Sequence, residues 1–147
     1  MILYNSHVSG SLEVDENVFI TGILYASEKH FYINHPTEEG KKLVYGTLEG
    51  PENAVYLRGR LNGDNVIELP DYWTKLVDEK SITVFFTPIG RGQILSVDYI
   101  KDNKIFIKKS LLTPFGKIYC NYLIFGERKD IPKLKTKIDP KGGVDGR

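Results

Sequence analysis

The feature that most constrains the fold is a succession of short apolar runs, each stopped by turn-forming residues. Many short strands at regular spacing are typical of antiparallel β-sandwiches and barrels. Apart from one helical turn indicated at "DYWTKLVD", the chain shows no sustained helical periodicity, and we therefore predict an all-β antiparallel sandwich or barrel. The runs are "HFYINHP", "KKLVYGTLEG", "NAVYLRGRL", "NVIELP", "SITVFFTPIG", "GQILSVDYI", "KIFIKKS" and "KIYCNYLIFGER".

Two turn sequences predict which runs are joined as hairpins. The stretch Asn62-Gly63-Asp64-Asn65 contains an Asn-Gly step, a strong hairpin signal. It predicts that "NAVYLRGRL" and "NVIELP" pair antiparallel. The turn Lys101-Asp102-Asn103-Lys104 leads from "GQILSVDYI" into "KIFIKKS".

The chain divides into three parts. Residues 1–27 contain short alternating pieces interrupted by Gly10, Asp15-Glu16-Asn17 and Gly22, whereas residues 28–131 hold the long runs. Residues 132–147, rich in Lys, Gly and Pro, are expected to form a flexible basic tail. Short strands cannot bury an apolar face alone. Residues 1–27 are therefore expected either to intertwine with other copies, as in a trimeric shaft, or to form an ordinary hairpin on a monomeric sandwich.

The stretch "IELPDYW" holds the single tryptophan of the chain. Pro70 cannot donate to a strand ladder and ends the preceding strand. Asp71 is then expected to cap one helical turn in which Trp73 and Leu76 share a face. We expect this turn to plug the end of the sandwich, a structural role that also includes Tyr72. The alternative is that Tyr72 and Trp73 are exposed and stack on a sugar.

Composition argues against several classes of partner. Lys plus Arg number 20 and Asp plus Glu number 19 in 147 residues, a net charge of +1 that gives little attraction for nucleic acid. No apolar run approaches the length of a membrane span, and no signal peptide is evident. The single Cys120 cannot form an intrachain disulfide and is expected to be a buried, inert thiol made in a reducing cytosol.

Candidate chemical groups are few. No metal site is expected, because the only histidines, His7, His30 and His35, lack ligand spacing; His30 and His35 are expected to be partly buried and hydrogen-bonded. Acidic turns at Glu49 and Glu52 and at Glu68 and Asp71 leave glycoside hydrolysis as a minor alternative. No cofactor is expected.

Two arginines on one strand are assigned a structural role. Arg58 and Arg60 share a strand face and are expected to pair with Glu49 or Glu68 on neighbouring strands. A site for a carboxylated sugar is the alternative.

Several phrases occur in an order that resembles a β-rich domain of bacteriophage tail-fibre and related virion structural proteins. They are "FYINHP", "LVYGTLEGPENAVYLRGRL", "IELPDYWTKLVDEKSITVFFTPIG", "KDNKIFI" and "YLIFGERKD", within residues 30–131. The chain departs from that pattern at Gly46-Thr47, where the family often has a His-Ser pair, and at Arg91-Gly92, where a His is common. The N-terminal "SGSLEVDENVFITGILYAS" resembles the short strands of trimeric fibre shafts.

The resemblance implies a non-enzymatic virion protein, a homotrimeric fibre or spike module involved in host attachment. Its partners would be other virion proteins and a host-surface glycan or protein, without nucleic acid or membrane insertion. A decoration protein that cements other virion proteins is the main alternative, and a glycan depolymerase the lesser one. The expected contact surface is the set of turns at 36–42, 50–54, 62–65 and 90–93. Candidate binding residues in or beside these turns are Glu38, Glu39, Glu52, Asn53, Asn62, Asp64, Arg91 and Gln93.

Overall fold

A computed structural model describes residues 6–90, 92–112 and 116–137. The regular elements are almost all strands, which confirms the predicted all-β class. A single helical turn, α1 at Trp73–Leu76, and a 3-10 turn at Glu79–Ser81 interrupt them. The strands are β1 His30–Asn34, β2 Lys42–Gly46, β3 Ala54–Asn62, β4 Val66–Glu68, β5 Thr83–Pro88, β6 Leu95–Lys101, β7 Lys104–Lys109 and β8 Tyr119–Glu127.

The strands form three antiparallel sheets. One contains β1 and β2, the second has the order β3-β8-β5, and the third has the order β4-β7-β6. Within the described residues no sheet closes into a barrel, so the architecture is sandwich-like. The central strand β8 pairs over its full length with β3 and over most of it with β5.

The core lies between the two three-stranded sheets and is sealed by α1. Alternation along each strand sends every second side chain inward, so that Val55, Ile67, Ile105 and Ile124 are almost wholly buried. Phe31, Ile33 and Tyr45 of the β1-β2 hairpin pack against the same cluster.

The turn at "IELPDYW" plugs the end of the sandwich, as predicted. Trp73, Leu76 and Val77 are buried. Asp71 does not cap the helix as expected, because Tyr72 holds the N-cap position, where no side chain bonds the first turn. The Asp71 carboxylate instead accepts a hydrogen bond from the Tyr72 backbone N–H at 2.8 Å. Burial of Trp73 excludes it from sugar stacking.

The predicted β3-β4 hairpin is wrong. A turn is present, with Gly63 at a φ of +106°, but β3 pairs with β8 whereas β4 pairs with β7. The Gly63 N–H donates to the Ile118 carbonyl at 2.8 Å, which holds the turn on the start of β8. The chain therefore crosses here from one sheet to the other instead of folding back beside itself.

The second predicted turn does join two strands. Strands β6 and β7 pair from Lys101 and Lys104 onward. Asp102 and Asn103 both adopt positive φ, 51° and 60°, as a tight type I′ hairpin requires. The Asn103 amide then donates to the Leu69 and Pro70 carbonyls at 2.9 Å each, so this hairpin also supports the end of β4.

The N-terminal segment, defined as residues 6–28, contributes no side chain to the core of the described chain. Every residue in it is exposed, and it forms no strand in the structure. The alternative of an ordinary hairpin on a monomeric sandwich is therefore wrong, whereas intertwining with other copies stays a prediction. Leu12, Phe19, Ile23 and Tyr25 are each more than 70% exposed, at 75%, 72%, 75% and 87%.

The start of the predicted tail is attached to the sandwich. The Pro132 carbonyl accepts a hydrogen bond from the Asn53 amide at 3.2 Å, and Lys133 pairs with Glu127 at 2.8 Å. Residues 138–147 lie outside the described residues, and so their predicted flexibility stays a prediction. No helix among the described residues has the length and apolar character that crossing a membrane requires.

Candidate functional site

The sheet β3-β8-β5 turns an uncovered apolar surface to solvent, which we call the outer face. It carries aromatic side chains from all three strands: Tyr56 from β3, Phe85 from β5 and Phe125 from β8. Phe85 is 58% exposed and Tyr56 is 47% exposed. A shallow groove of about 670 Å³ runs over these rings. Its lining is completed by Leu48, Arg58, Thr87, Asn121, Tyr122 and Leu123.

Ring contacts organise this surface. The Phe125 centroid lies 6.2 Å from that of Tyr56 and 6.2 Å from that of Phe85, the latter pair edge to face. Such pairs are attractive and restrict ring motion. A partly ordered aromatic surface is thus in place before anything binds to it.

Arg58 and Arg60 border the groove, and their predicted ion pairs with Glu49 or Glu68 are wrong. Glu49 pairs with Lys29, and Glu68 pairs with Lys104 at 2.7 Å. Within the described residues, no carboxylate forms an ion pair with either arginine. The expected pairing with Glu68 assumed that β4 lies beside β3. In the structure β8 lies beside β3, and Glu68 is on β4 in the opposite sheet. Both guanidinium groups therefore remain available to an external anion.

The sequence analysis missed this surface, although a signal for it was present. In a sandwich with one wet face, apolar and polar residues alternate, whereas continuous apolar runs indicate strands covered on both sides. "VFF" at 84–86 and "YLIF" at 122–125 are such runs. Read this way, Phe85, Leu123 and Phe125 predict that something else covers the outer side of β5 and β8.

The predicted binding turns do not converge on one site. At the start of β8, the Gly63 N–H and the Ile89 N–H bond the carbonyls of Ile118 and Tyr119, so turns 62–65 and 90–93 meet there. At the other end of β8, the Arg128 N–H donates to the Asn53 carbonyl at 2.7 Å, which places turn 50–54 at the far end. The predicted binding turns therefore form two separate rims, one at each end of β8.

Several candidate binding residues are engaged within the chain itself. The Gln93 side chain donates to the Ile89 and Tyr119 carbonyls at 2.5 and 3.0 Å and accepts from the Tyr119 N–H at 3.0 Å. Asn53 is bonded to Pro132 and Arg128, as described above. Glu39, Glu52, Asn62 and Asp64 lie in or beside turns, and Arg91 lies outside the described residues. Gln93 and Asn53 thus have structural roles.

Glu38 belongs to a small polar cluster in turn 36–42. It pairs with Lys41, which lowers the pKa of the Glu38 carboxyl through a hydrogen bond and charge attraction. His35, with a side chain only 8% exposed, accepts hydrogen bonds at Nδ1 from the backbone N–H groups of Glu38 and Thr37, at 3.1 and 3.4 Å. This confirms the predicted buried, hydrogen-bonding role of His35, whereas His30 is exposed.

Two of the carboxylates considered for hydrolysis, Glu49 and Glu68, have pKa values shifted in the direction opposite to that of a general acid. Hydrogen bonds and attraction from Lys29 and Lys104 lower the pKa of Glu49 and Glu68. A glycosidase acid needs a raised pKa. Among the described residues no group of His, Cys, Asp and Glu side chains is arranged to hold a metal ion.

Two further groups have raised pKa values. Burial raises the pKa of the Cys120 thiol, which has no exposed surface, so the predicted buried thiol is confirmed. Desolvation, followed by a 2.6 Å hydrogen bond to the Tyr45 hydroxyl, raises the pKa of Tyr72 well above its ordinary value. The Tyr72 ring also contacts His35 edge to face at 5.2 Å, which fits its predicted structural role.

Comparison with family models, with curated proteins and with solved structures finds no match to this chain.

Proposed function

We propose that this chain is a structural module of a phage fibre or spike that assembles from several copies and helps the particle attach to a host surface. The observation that carries the proposal is the N-terminal segment. Residues 6–28 hold exposed Leu, Ile, Val, Phe and Tyr side chains and contribute none of them to the core of their own sandwich. Exposed apolar surface of this extent is costly in a monomer and typical of chains that associate.

The resemblance of residues 30–131 to tail-fibre and virion domains gives the assembly its context. A paired-strand sandwich suits a load-bearing particle component, and the rims at the two ends of β8 offer variable turns for contact. Weak contacts at these turns add together when several copies are held on one particle. Localisation in the virion and the trimeric state belong to this proposal.

A decoration protein that cements other virion proteins is the second candidate. The outer face favours it, because a flat aromatic surface without a partner suits a fixed protein neighbour. We place it second because it leaves the apolar N-terminal segment without a role. The glycan depolymerase has no such support, since lysine partners lower the pKa of Glu49 and Glu68, the reverse of what a general acid needs.

The native mass of the full chain, compared with that of a chain beginning at Glu28, tests the proposal. Light scattering should give a trimer for the full chain and a monomer for the shortened one, because residues 6–27 contribute nothing to the sandwich core. Circular dichroism serves as the control that the shortened chain is folded. Monomers in both cases would contradict the fibre module and favour the decoration protein.

A further inference from the structure

We infer that the outer face of one copy binds the N-terminal segment of a second copy of this chain. This inference deepens the proposed function and rests on its claim that copies associate. It assigns a specific surface to that association and specifies an exchange of segments between subunits.

Charge complementarity identifies the segment as the occupant. Residues 6–28 contain Glu13, Asp15, Glu16 and Glu28 and no Lys or Arg. The outer-face groove and its extension beside β3 are lined by Arg58 and Arg60 and by no acidic residue. Because the whole chain has a net charge of only +1, this separation of acidic segment and basic face is local, and it favours their contact.

Apolar complementarity points the same way. The part of the segment nearest the sandwich, "VFITGILY" at 18–25, presents aliphatic and aromatic side chains that are 50% to 87% exposed. The outer face offers the rings of Tyr56, Phe85 and Phe125. An extended chain advances roughly 3.3 Å per residue and neighbouring strands are about 4.8 Å apart. Residues 18–28 are therefore long enough to cross all three strands of the sheet.

The point where the N-terminal segment joins the sandwich, at Lys29, lies beside the groove. The Thr47 N–H donates to the Lys29 carbonyl at 3.1 Å, and the next residue, Leu48, lines the groove. None of residues 6–28 nevertheless lines the groove on its own outer face, and all of them are exposed. In a symmetric ring whose subunits meet at this edge, Lys29 of one copy would lie close to the outer face of the next, so an exchange would need little connecting chain.

Charge reversal with rescue tests the inference on the full chain. R58E/R60E and, separately, E13K/D15K/E16K should each weaken association at least about tenfold, a change of the size expected when close charge pairs become repulsive. Combining the five substitutions in one chain restores opposite charges and should return association toward the original value. Native mass by light scattering over a dilution series measures this. K75E/K80E, which alters lysines that do not line the groove, is the matched control and should leave the mass unchanged.

Cross-linking identifies the occupant directly. A photoreactive phenylalanine analogue at position 85, in a mixture of isotopically light and heavy copies, should yield cross-links between position 85 and residues 6–28 that join light to heavy chains. Cross-links confined within single chains would overturn the inference in favour of each chain's own segment.

The outcomes separate this inference from the proposed function. If the full chain is oligomeric and R58E/R60E leaves it so, the segment binds elsewhere and only the inference fails. If the full chain is a monomer, both the proposed function and this inference are wrong. If the face is uncovered in the oligomer and R58E/R60E abolishes binding of glucuronate instead, the face is a carboxylated-sugar site and the inference is wrong.

Discussion

The two faces of the β3-β8-β5 sheet carry similar side chains in opposite environments. Ile124 points inward and has no exposed surface, whereas Phe85 points outward and is 58% exposed. The inner face is covered by the chain's own second sheet and by α1. The outer face combines the rings of Tyr56, Phe85 and Phe125 with polar side chains such as Arg58, and it has no cover within the described chain. An apolar sheet face tends to become covered wherever it lies. Whether the same chain covers it depends on the order in which the strands pair.

The largest expected effect tests the comparison directly. Ile124→Ala should lower the free energy of unfolding by about 2–5 kcal/mol, because it leaves a cavity in a packed core. Phe85→Ala removes a larger side chain from the outer face, yet it should cost about 1 kcal/mol or less. Urea unfolding of the chain beginning at Glu28 measures both without association. Equal losses would show that the outer face is packed within one chain and would break the comparison.

The next effect sharpens the description of the inner face. A Cβ added at Gly126 would lie 2.4 Å from Val77 Cγ1 and 3.6 Å from the Trp73 ring. Val77 is buried and cannot move away freely, so Gly126→Ala should cost about 1–3 kcal/mol through overpacking. Gly46→Ala is the control, since no atom lies within 4 Å of its Cβ position. Thermal unfolding compares them, and a neutral Gly126→Ala would mean that α1 is not fixed against β8.

A smaller loss of stability is expected where the β6-β7 hairpin contacts the end of β4. Asn103→Ala removes two hydrogen bonds of 2.9 Å and puts alanine, which adopts the left-handed region less readily than asparagine, at a φ of 60°. It should cost about 1–2 kcal/mol. Asn103→Gly loses the same bonds but adopts this φ freely. Asn103→Gly should therefore lower the free energy of unfolding, measured by chemical denaturation, by less than Asn103→Ala does. If Asn103→Gly is the worse of the two, the left-handed backbone is not part of the cost.

The smallest effect depends on pH and concerns the contact between Tyr72 and Tyr45. Because the folded state raises the pKa of Tyr72 above its ordinary 10.0, the neutral phenol is favoured there. Its contribution is complete below about pH 10 and is lost as the pH rises from there toward the folded-state pKa. Burial of Tyr122 and Cys120 acts in the same direction.

Tyr72→Phe should cost about 0.5–1.5 kcal/mol at neutral pH. It should also make the decline of stability above pH 10 shallower. Urea midpoints at pH 7, 9, 10 and 11 measure this, with Tyr32→Phe as an exposed control. An unchanged alkaline decline in Tyr72→Phe would assign it to other groups.

Sequence alone located most strands and the corner plug, since both follow from local signals. The runs ending at Pro36 and Pro70 and the turn at Asp102 and Asn103 report on their own immediate structure. Pairing across the molecule is different. That β8 lies between β3 and β5 depends on contacts between residues distant in the chain, and the Asn-Gly step at 62–63 marked a real turn without specifying its partners.

The candidate site was harder to predict for the same reason. Turn residues were favoured as binding residues because turns are exposed. The Gln93 side chain instead ties its turn to Tyr119 of β8, and the Asn53 side chain donates to the Pro132 carbonyl. The ion pairs expected for Arg58 and Arg60 assumed the wrong neighbouring strand. The outward position of Phe85 and Phe125 was not predicted, because a run of apolar residues does not reveal which of its members face an uncovered side.

The β1-β2 hairpin has a mechanical consequence. Tension on residues 6–28 enters the sandwich at His30, which pairs with Gly46 at the open end of the hairpin. A force applied there acts on the paired residues of β1 and β2 one pair after another, instead of on all five pairs at once. Under stretching the hairpin should therefore peel at low force and lengthen the connection, while β8, flanked on both sides, keeps the remaining body intact. If copies are joined through their N-terminal segments, each joint would carry its own extensible tether.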